Sequence, residues 1–208
     1  MNVLFVHGMA RSSLVWLPTM ARFKTQGLYC ASFGYNVTFQ DFSSIVRRLV
    51  KKLVQFSARG DYVVIGHSLG GVLLRAALAE LPTATPLPTT LFLLGSPVFA
   101  SRLATRLRGN VLFRAITRES GRVLGSSERM LSIPAPPVPT VAIIGTRGLH
   151  GRLSPFAQEA NDGVVALSEV SADWLDETLH VPVMHTLLPS SQLVSRLMLQ
   201  RIQANDIA

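Results

Sequence analysis

Asp61-Tyr62-Val63-Val64-Ile65-Gly66-His67-Ser68-Leu69-Gly70-Gly71-Val72-Leu73-Leu74 joins two different patterns at one serine. The run Tyr62–Ile65 is short, apolar and β-branched, as a buried strand is. From Gly71 to Leu81 the chain is rich in strong helix formers, and it stops at Pro82. Between them lies Gly66-His67-Ser68-Leu69-Gly70, a G-x-S-x-G pattern. On so sharp a strand-to-helix turn a serine projects its hydroxyl clear of the backbone. The flanking glycines avoid collision with the neighbouring strand and helix. The N–H of Leu69 then sits at a helix N-terminus, aimed where an oxyanion forms. A glycine-rich turn with a solvated serine is the plain alternative, and the strand-turn-helix setting weighs against it.

Outward from this turn, short apolar runs alternate with longer helical patterns, which predicts a parallel sheet flanked by helices. The expected strands are Val3–Val6, Tyr29–Phe33, Tyr62–Ile65, Thr90–Leu94, Thr140–Ile144 and Thr178–Val183. The expected helices are Leu14–Gln26, Phe42–Ala58, Leu69–Leu81, Leu103–Leu107, Val111–Thr117, Val165–Asp173 and Ser190–Gln203. In the second, Ile45, Leu49, Leu53 and Phe56 fall on one face, with Arg47, Arg48, Lys51 and Lys52 off it. The fold class is therefore α/β, a three-layer α/β/α sandwich on a mainly parallel sheet of about six strands. The 208 residues read as a single domain, 1–208, large enough for a sizeable core. Residues 99–131 form a basic, helical excursion between two core strands, closed by the stiff Ile133-Pro134-Ala135-Pro136-Pro137-Val138-Pro139.

Composition narrows the classes of function. A hydrophobic content of 48% and mean hydropathy of +0.34 suit a compact globule. No apolar run reaches the roughly 18 residues of a membrane span. With Met1 as the start, Asn2–Val6 already reads as core strand, which makes cytoplasmic the expected location. The lone Cys30 excludes an internal disulfide and any CxxC site, and in its strand it reads as an inert core thiol. No His/Cys/Asp/Glu cluster has metal-ligand spacing, and neither metal nor cofactor is expected. The net charge of +8 is partly local, since residues 99–131 hold seven arginines against Glu119 and Glu128. Without an aromatic ladder or a nucleic-acid motif, nucleic acid is set aside. Arg102/Arg106 and Arg114/Arg118/Arg122 recur at helical spacing, as on a solvated face. An anionic lipid surface or an acidic substrate is the other reading of these arginines.

A serine needs a base within hydrogen-bond reach and a carboxylate to orient that base. On this architecture they follow in the order Ser, Asp/Glu, His, at the carboxyl edge of the sheet. His7 and His67 sit beside glycines, where His7 reads as a brace for its loop. His150 lies in a Gly-flanked loop, and His180 falls inside the last strand. His185 alone combines chain order with edge position. For the acid, Asp162 in Asn161-Asp162-Gly163 is preferred because the tight turn fixes its direction, with Glu159 next. Asp162 as a mere helix cap is the plain alternative. The second oxyanion donor is expected from the loop after the first strand, at the N–H of Met9, paired with that of Leu69. Leu14, Trp16, Val98, Phe99 and Met184, with Met9, Leu103 and Phe113, are candidates to line an acyl pocket.

These residues together resemble the α/β-hydrolase superfamily over nearly the whole chain, most of all small bacterial lipases and esterases of triacylglycerol-lipase type. The matching sites are Val6-His7-Gly8-Met9, Gly66-His67-Ser68-Leu69-Gly70-Gly71, Gly95-Ser96-Pro97, Asn161-Asp162-Gly163-Val164-Val165 and His185-Thr186-Leu187-Leu188-Pro189. The resemblance implies a Ser68, Asp162, His185 triad, an oxyanion hole at Met9 and Leu69, and a minimal cap or none. Thr186-Leu187-Leu188 stands where larger lipases place a calcium-binding aspartate, so no structural calcium is expected. Gly95-Ser96-Pro97 runs into Val98-Phe99-Ala100-Ser101, where some relatives continue with Asn-x-Gly-Ser. The implied partner is a small-molecule ester with an apolar acyl chain. A thioesterase or acyltransferase with the same triad is the alternative, and behind it a non-catalytic lipid- or partner-binding protein.

Overall fold

The computed structural model describes residues 1–148, 151 and 154–205. Six strands form one sheet: β1 (Asn2–Val6), β2 (Tyr29–Phe33), β3 (Tyr62–His67), β4 (Thr90–Leu94), β5 (Thr140–Gly145) and β6 (Glu177–Val181). All pairs are parallel, in the order β2-β1-β3-β4-β5-β6. β1, β3, β4 and β5 are almost wholly buried, which explains their unbroken apolar runs. β6 is an edge strand with Thr178 and His180 exposed, hence its alternating pattern. It stops at Val181, two residues short of the expected end, because Pro182 has no N–H to continue a ladder.

Helices α1 (Leu17–Lys24), α2 (Phe42–Ser57), α3 (Leu69–Ala79) and α8 (Gln192–Asn205) cover the sheet. α2 and α3 pack on one face against Leu4, Val6, Val64 and Leu93. α1 and α8 pack on the other against Val3, Phe5, Ile65 and Phe92. α2 buries the predicted stripe Ile45, Leu49, Leu53 and Phe56, and the Asp41 carboxylate caps it by accepting the Ser44 N–H at 2.6 Å. The expected helix from Leu14 opens instead as a 3₁₀ turn, Ser13–Trp16, and turns α-helical with Pro18 in its first turn.

Between β4 and β5 the basic segment folds into α4 (Arg102–Leu107), α5 (Val111–Leu124) and α6 (Ser127–Leu131). α5 runs seven residues beyond the expected Thr117 by breaking its backbone at Arg118, and α6 was not expected. The proline-rich closure is held by Arg75 of α3. This guanidinium, buried and stacked over Trp174, donates to the carbonyls of Ile133 (2.7 Å) and Pro134 (3.3 Å). Burial pulls its pKa down to about 10. Short α7 (Leu167–Val170) replaces the expected helix Val165–Asp173. The Val165 and Ala166 amides are taken by the carboxylates of Asp162 and Glu169, so α7 starts two residues late.

The chain leaves β1 for β2 and returns to β3 on the other side of β1, so β1 and β3 meet at a topological switch point. Val6 pairs with Gly66, placing the loop after β1 beside the turn at Ser68. Gly70 makes that approach possible, because a Cβ there would lie 2.6 Å from the His7 carbonyl oxygen and closer still to that of Val6. Gly70→Ala is expected to cost about 1–3 kcal/mol of stability, as overpacking does. For a chain of this length that is a fall in Tm of about 2–4 °C per kcal/mol, readable by calorimetry.

Candidate active site

Ser68 occupies φ 52°, ψ −124°, a conformation that costs a non-glycine residue about 1–3 kcal/mol. Surrounding bonds hold it there. Its N–H donates to Leu94 O of β4 at 3.0 Å, and its carbonyl accepts from Gly71 N (3.1 Å) and Ser96 Oγ (2.5 Å). Leu69 is the first residue of α3, and its N–H belongs to the helix's unpaired first turn.

Asp162 and His185 come from the loops after β5 and β6 and are both buried. His185 Nδ1 lies 2.6 Å from Asp162 Oδ2, and the His185 N–H donates to the Asp162 carbonyl at 2.9 Å. Asp162 Oδ1 accepts the N–H groups of Val164 and Val165, each at 2.9 Å. The turn at Asn161-Asp162-Gly163 thus orients one carboxylate oxygen onto its own loop and the other onto the imidazole. With a carboxylate at Nδ1, that nitrogen carries the proton and Nε2 is the basic one. Glu159, the other candidate acid, is elsewhere: it pairs with Arg102 at 2.7 Å and accepts the Ser168 N–H at 2.9 Å. Hydrogen bonding from Ser168, together with Arg102, holds its carboxyl below the usual range.

His67 links Ser68 to this pair. Its ring stands 4.6 Å from that of His185, centroid to centroid, and its Nε2–H donates to the His185 carbonyl at 3.0 Å. Burial, then the neighbouring His185, push its pKa well below the ordinary value of 6.5. His7 braces the opposite loop. Its Nε2 accepts the Tyr35 N–H (3.3 Å), which leaves Nδ1–H to donate to Gly8 O (2.8 Å), and Tyr35 stacks on the ring at 4.2 Å. Gly95, at φ 51°, completes the corner. A Cβ there would sit 2.9 Å from both His185 Nδ1 and Asp162 Oδ2. His180 is exposed on β6, and His150 lies outside the described residues. Burial raises the Cys30 thiol to about 11, as suits an unreactive core residue.

A cavity of about 50 Å³ opens at Ser68. Met9, Pro97 and Ser101 line it with Leu103, Ala104, Phe113 and Leu124 of the helical excursion and Val164 and Val165 of the acid loop. Three of the expected lining residues, Met9, Leu103 and Phe113, are there. Five are not among the residues that line this cavity. Trp16 is core, packed on Phe5 with ring centroids 4.9 Å apart. Leu14 and Phe99 are exposed, and Met184 lines a separate cleft with Arg147 and Leu187. Val98 is buried away from the cavity lining, its N–H donating to Glu169 O at 2.8 Å. Val164 and Val165 were missed as cavity lining although they lie two and three residues after Asp162, which was the available signal. Glu169 was also missed. Its buried carboxylate accepts the N–H groups of Ala166 (2.5 Å) and Arg102, tying the acid loop to the start of α4, and burial raises its pKa.

A six-stranded parallel sheet with a strained serine turn at its switch point and a buried Asp–His pair beside it defines a hydrolase-type α/β fold. The chain belongs to the alpha/beta hydrolase family, whose profile matches residues 3–202. Among solved structures it is similar to the mature form of *Bacillus licheniformis* lipase BlEst2, with a TM-score of 0.77 and 19% identity over 96% of this chain and 90% of that one. It is also similar to the RedJ thioesterase of the *Streptomyces coelicolor* prodiginine pathway (0.66, 16%, 96% and 88%). A third is the *Arabidopsis* methylesterase MES16 (0.64, 14%, the full length of both). At these identities the likeness is one of fold. No curated protein sequence matches the chain significantly. Among the described residues no group of three or more His, Cys, Asp or Glu is placed to hold a metal, and no helix is long and apolar enough to cross a membrane.

The depressed pKa of His67 has a consequence for stability. Below about pH 6.5 the unfolded chain protonates this histidine while the folded protein resists, so the unfolded state binds more protons. Stability is therefore full above that pH and falls as pH drops, by up to about 1.4 kcal/mol per pH unit from this group. Thermal denaturation between pH 7.5 and 5 is expected to show a declining Tm, with a shallower decline in His67→Gln.

Proposed function

We propose that this protein is a serine hydrolase that cleaves carboxylic esters through an acyl-enzyme on Ser68. The observation that carries the reading is the 2.6 Å bond between His185 and Asp162, buried at the same sheet corner as the strained Ser68 turn. Ser68 Oγ attacks the ester carbonyl carbon as His185 Nε2 takes its proton. Asp162 holds the imidazole in the Nδ1–H tautomer and stabilises the imidazolium that forms. The N–H groups of Leu69 and Met9 receive the oxyanion, a contribution of about 2.7–4 kcal/mol per donor where such donors have been removed. His185 then protonates the departing alcohol, and a water activated by the same imidazole releases the acid. Thioesters react by the same steps.

The substrate carries a short, apolar acyl group. By a measure in which one water needs about 10–15 Å³, the cavity of about 50 Å³ takes roughly four heavy atoms. On p-nitrophenyl esters of increasing length, kcat/KM is expected to peak near butyrate and fall about ten-fold or more by decanoate. A peak at long chains would show that α4 and α5 move aside.

A fluorophosphonate probe is expected to label the wild type and not Ser68→Ala; an unlabelled wild type sinks the hydrolase reading. Asp162→Asn is expected to lower kcat by about 10⁴, as the loss of the orienting carboxylate does elsewhere. Glu159→Gln is expected to stay within a few-fold of wild type on p-nitrophenyl butyrate. The reverse ranking would make Glu159 the acid.

A further inference from the structure

Two adjoining clefts, of about 200 and 720 Å³, lie along α5 outside the Ser68 cavity. Arg114, Arg118 and Arg122 border both, and Arg108 at the end of α4 borders the smaller. Phe113 lines the smaller cleft and the Ser68 cavity alike, so one aromatic side chain stands between them.

Several other arginines are engaged by the protein itself, while Arg11, Arg106, Arg147 and Arg196 make no ion pair among the described residues. Arg102 pairs with Glu159, Arg129 with Glu119 and Arg201 with Glu177, while Arg22 and Arg75 donate to backbone carbonyls. Arg108, Arg114, Arg118 and Arg122 have no ion-pair partner among the described residues. Two carboxylates do border the larger cleft, and both are committed. Glu119 holds Arg129 at 2.7 Å and accepts the Phe42 N–H at 2.8 Å. Asp41 caps α2, accepting from Ser44 N (2.6 Å) and Ser43 Oγ (3.0 Å).

Like charges one helical turn apart repel, and nothing in the packing of α5 requires them. The helix is also broken where they gather. Arg118 sits at φ 44°, ψ −124°, a strained conformation for a residue with a Cβ, between the buried Thr117 and Ser120. Arg114, Arg118 and Arg122 are all exposed, and arginines from both sides of this break border the same concavity.

We propose that this cleft seats the phosphate of a phosphorylated leaving group. The substrate is then an ester or thioester whose acyl end enters the Ser68 cavity and whose alcohol or thiol ends in a phosphate held by Arg114, Arg118 and Arg122. The proposal rests on the hydrolase reading above. A guanidinium presents a planar fork that pairs bidentately with carboxylate or phosphate. Three or four of them exceed what a single carboxylate neutralises, whereas a phosphate monoester brings nearly two negative charges and three acceptor oxygens. The phosphate is a handle and does not react. The acyl carbon bonds to Ser68 Oγ, the C–O or C–S bond breaks, and the phosphorylated alcohol or thiol leaves with the proton carried by His185. Water then hydrolyses the acyl-enzyme. An anionic lipid headgroup shares the phosphate chemistry, and Phe39, Val111 and Leu112 are exposed near the cleft. The concave shape favours a single soluble phosphate over a flat membrane.

The test compares S-butyryl-pantetheine with S-butyryl-4′-phosphopantetheine, alongside p-nitrophenyl butyrate. The wild type is expected to favour the phosphorylated thioester by about ten-fold in kcat/KM, through KM, as a few exposed ion pairs allow. The preference shrinks as salt rises, and in Arg114→Gln/Arg122→Gln the ratio of the two kcat/KM values falls to near one. Binding of the two thioesters to Ser68→Ala, measured by calorimetry, is expected to show the same preference without turnover. Equal handling of the two thioesters by an enzyme that cleaves p-nitrophenyl butyrate overturns the phosphate subsite and leaves the hydrolase reading standing. Equal handling combined with arginine-dependent binding to phosphatidylglycerol vesicles overturns it in favour of a membrane surface. Failure to cleave p-nitrophenyl butyrate in a Ser68-dependent way refutes the hydrolase reading instead.

Discussion

Ser68 stands at φ 52° because its neighbours leave the backbone no other path. β1 and β3 lie side by side, and α3 must start against the carbonyls at the end of β1, with only Gly70 small enough to pass. β4 fixes the turn from the other side by accepting the Ser68 N–H at Leu94. The strain is local, while the restraint comes from three strands and a helix, so the turn is held by the best-packed part of the molecule. Every other part of the candidate site is a loop from a neighbouring strand that converges on this corner.

Those loops are held by buried polar groups with their partners in place. Asp162 uses one oxygen to tie down Val164 and Val165 and the other to hold His185, so the carboxylate shapes its own loop as it orients the imidazole. An unpaired carboxylate in such a place costs several kcal/mol, and the full set of N–H donors is what makes the burial tolerable. Glu169 does the same one step outward, joining the acid loop to the start of α4. His67 and His7 brace the loops on either side. The outcome is a buried imidazole–carboxylate pair locked in one geometry at the sheet edge that carries the Ser68 turn, the pre-organisation on which the proposed ester cleavage relies.

The helical excursion differs in kind. It closes the Ser68 cavity with Leu103, Ala104, Phe113 and Leu124, while its outer side gathers arginines around a backbone break. Four arginines, Arg108, Arg114, Arg118 and Arg122, are therefore placed around a cleft that shares Phe113 with the cavity. In the proposed hydrolase, charge in that position bears on which ester is chosen, and the Asp–His pair bears on how it is cleaved.

The strands, the serine turn and the Asp162 turn were legible because each is encoded locally. Buried parallel strands are unbroken apolar runs, a G-x-S-x-G between strand and helix patterns marks the turn, and Asn-Asp-Gly marks another. Pocket lining was not legible, since a core tryptophan such as Trp16 and a cavity wall such as Leu124 have the same local pattern. Nor was the burial of Arg75 and Glu169, because the carbonyls and amides that receive them come from distant loops. The choice between Asp162 and Glu159 as the partner of His185 rested in sequence on turn chemistry alone. In the fold, Arg102 draws Glu159 away and the register of β5 with β6 brings Asp162 to His185. Sequence by itself determined the sheet, its flanking helices and the turn at Ser68, because periodicity and glycine placement act over a few residues. Only the tertiary structure decided which carboxylate meets the imidazole, what walls the cavity and where the arginines converge, because those are contacts between loops far apart in the chain.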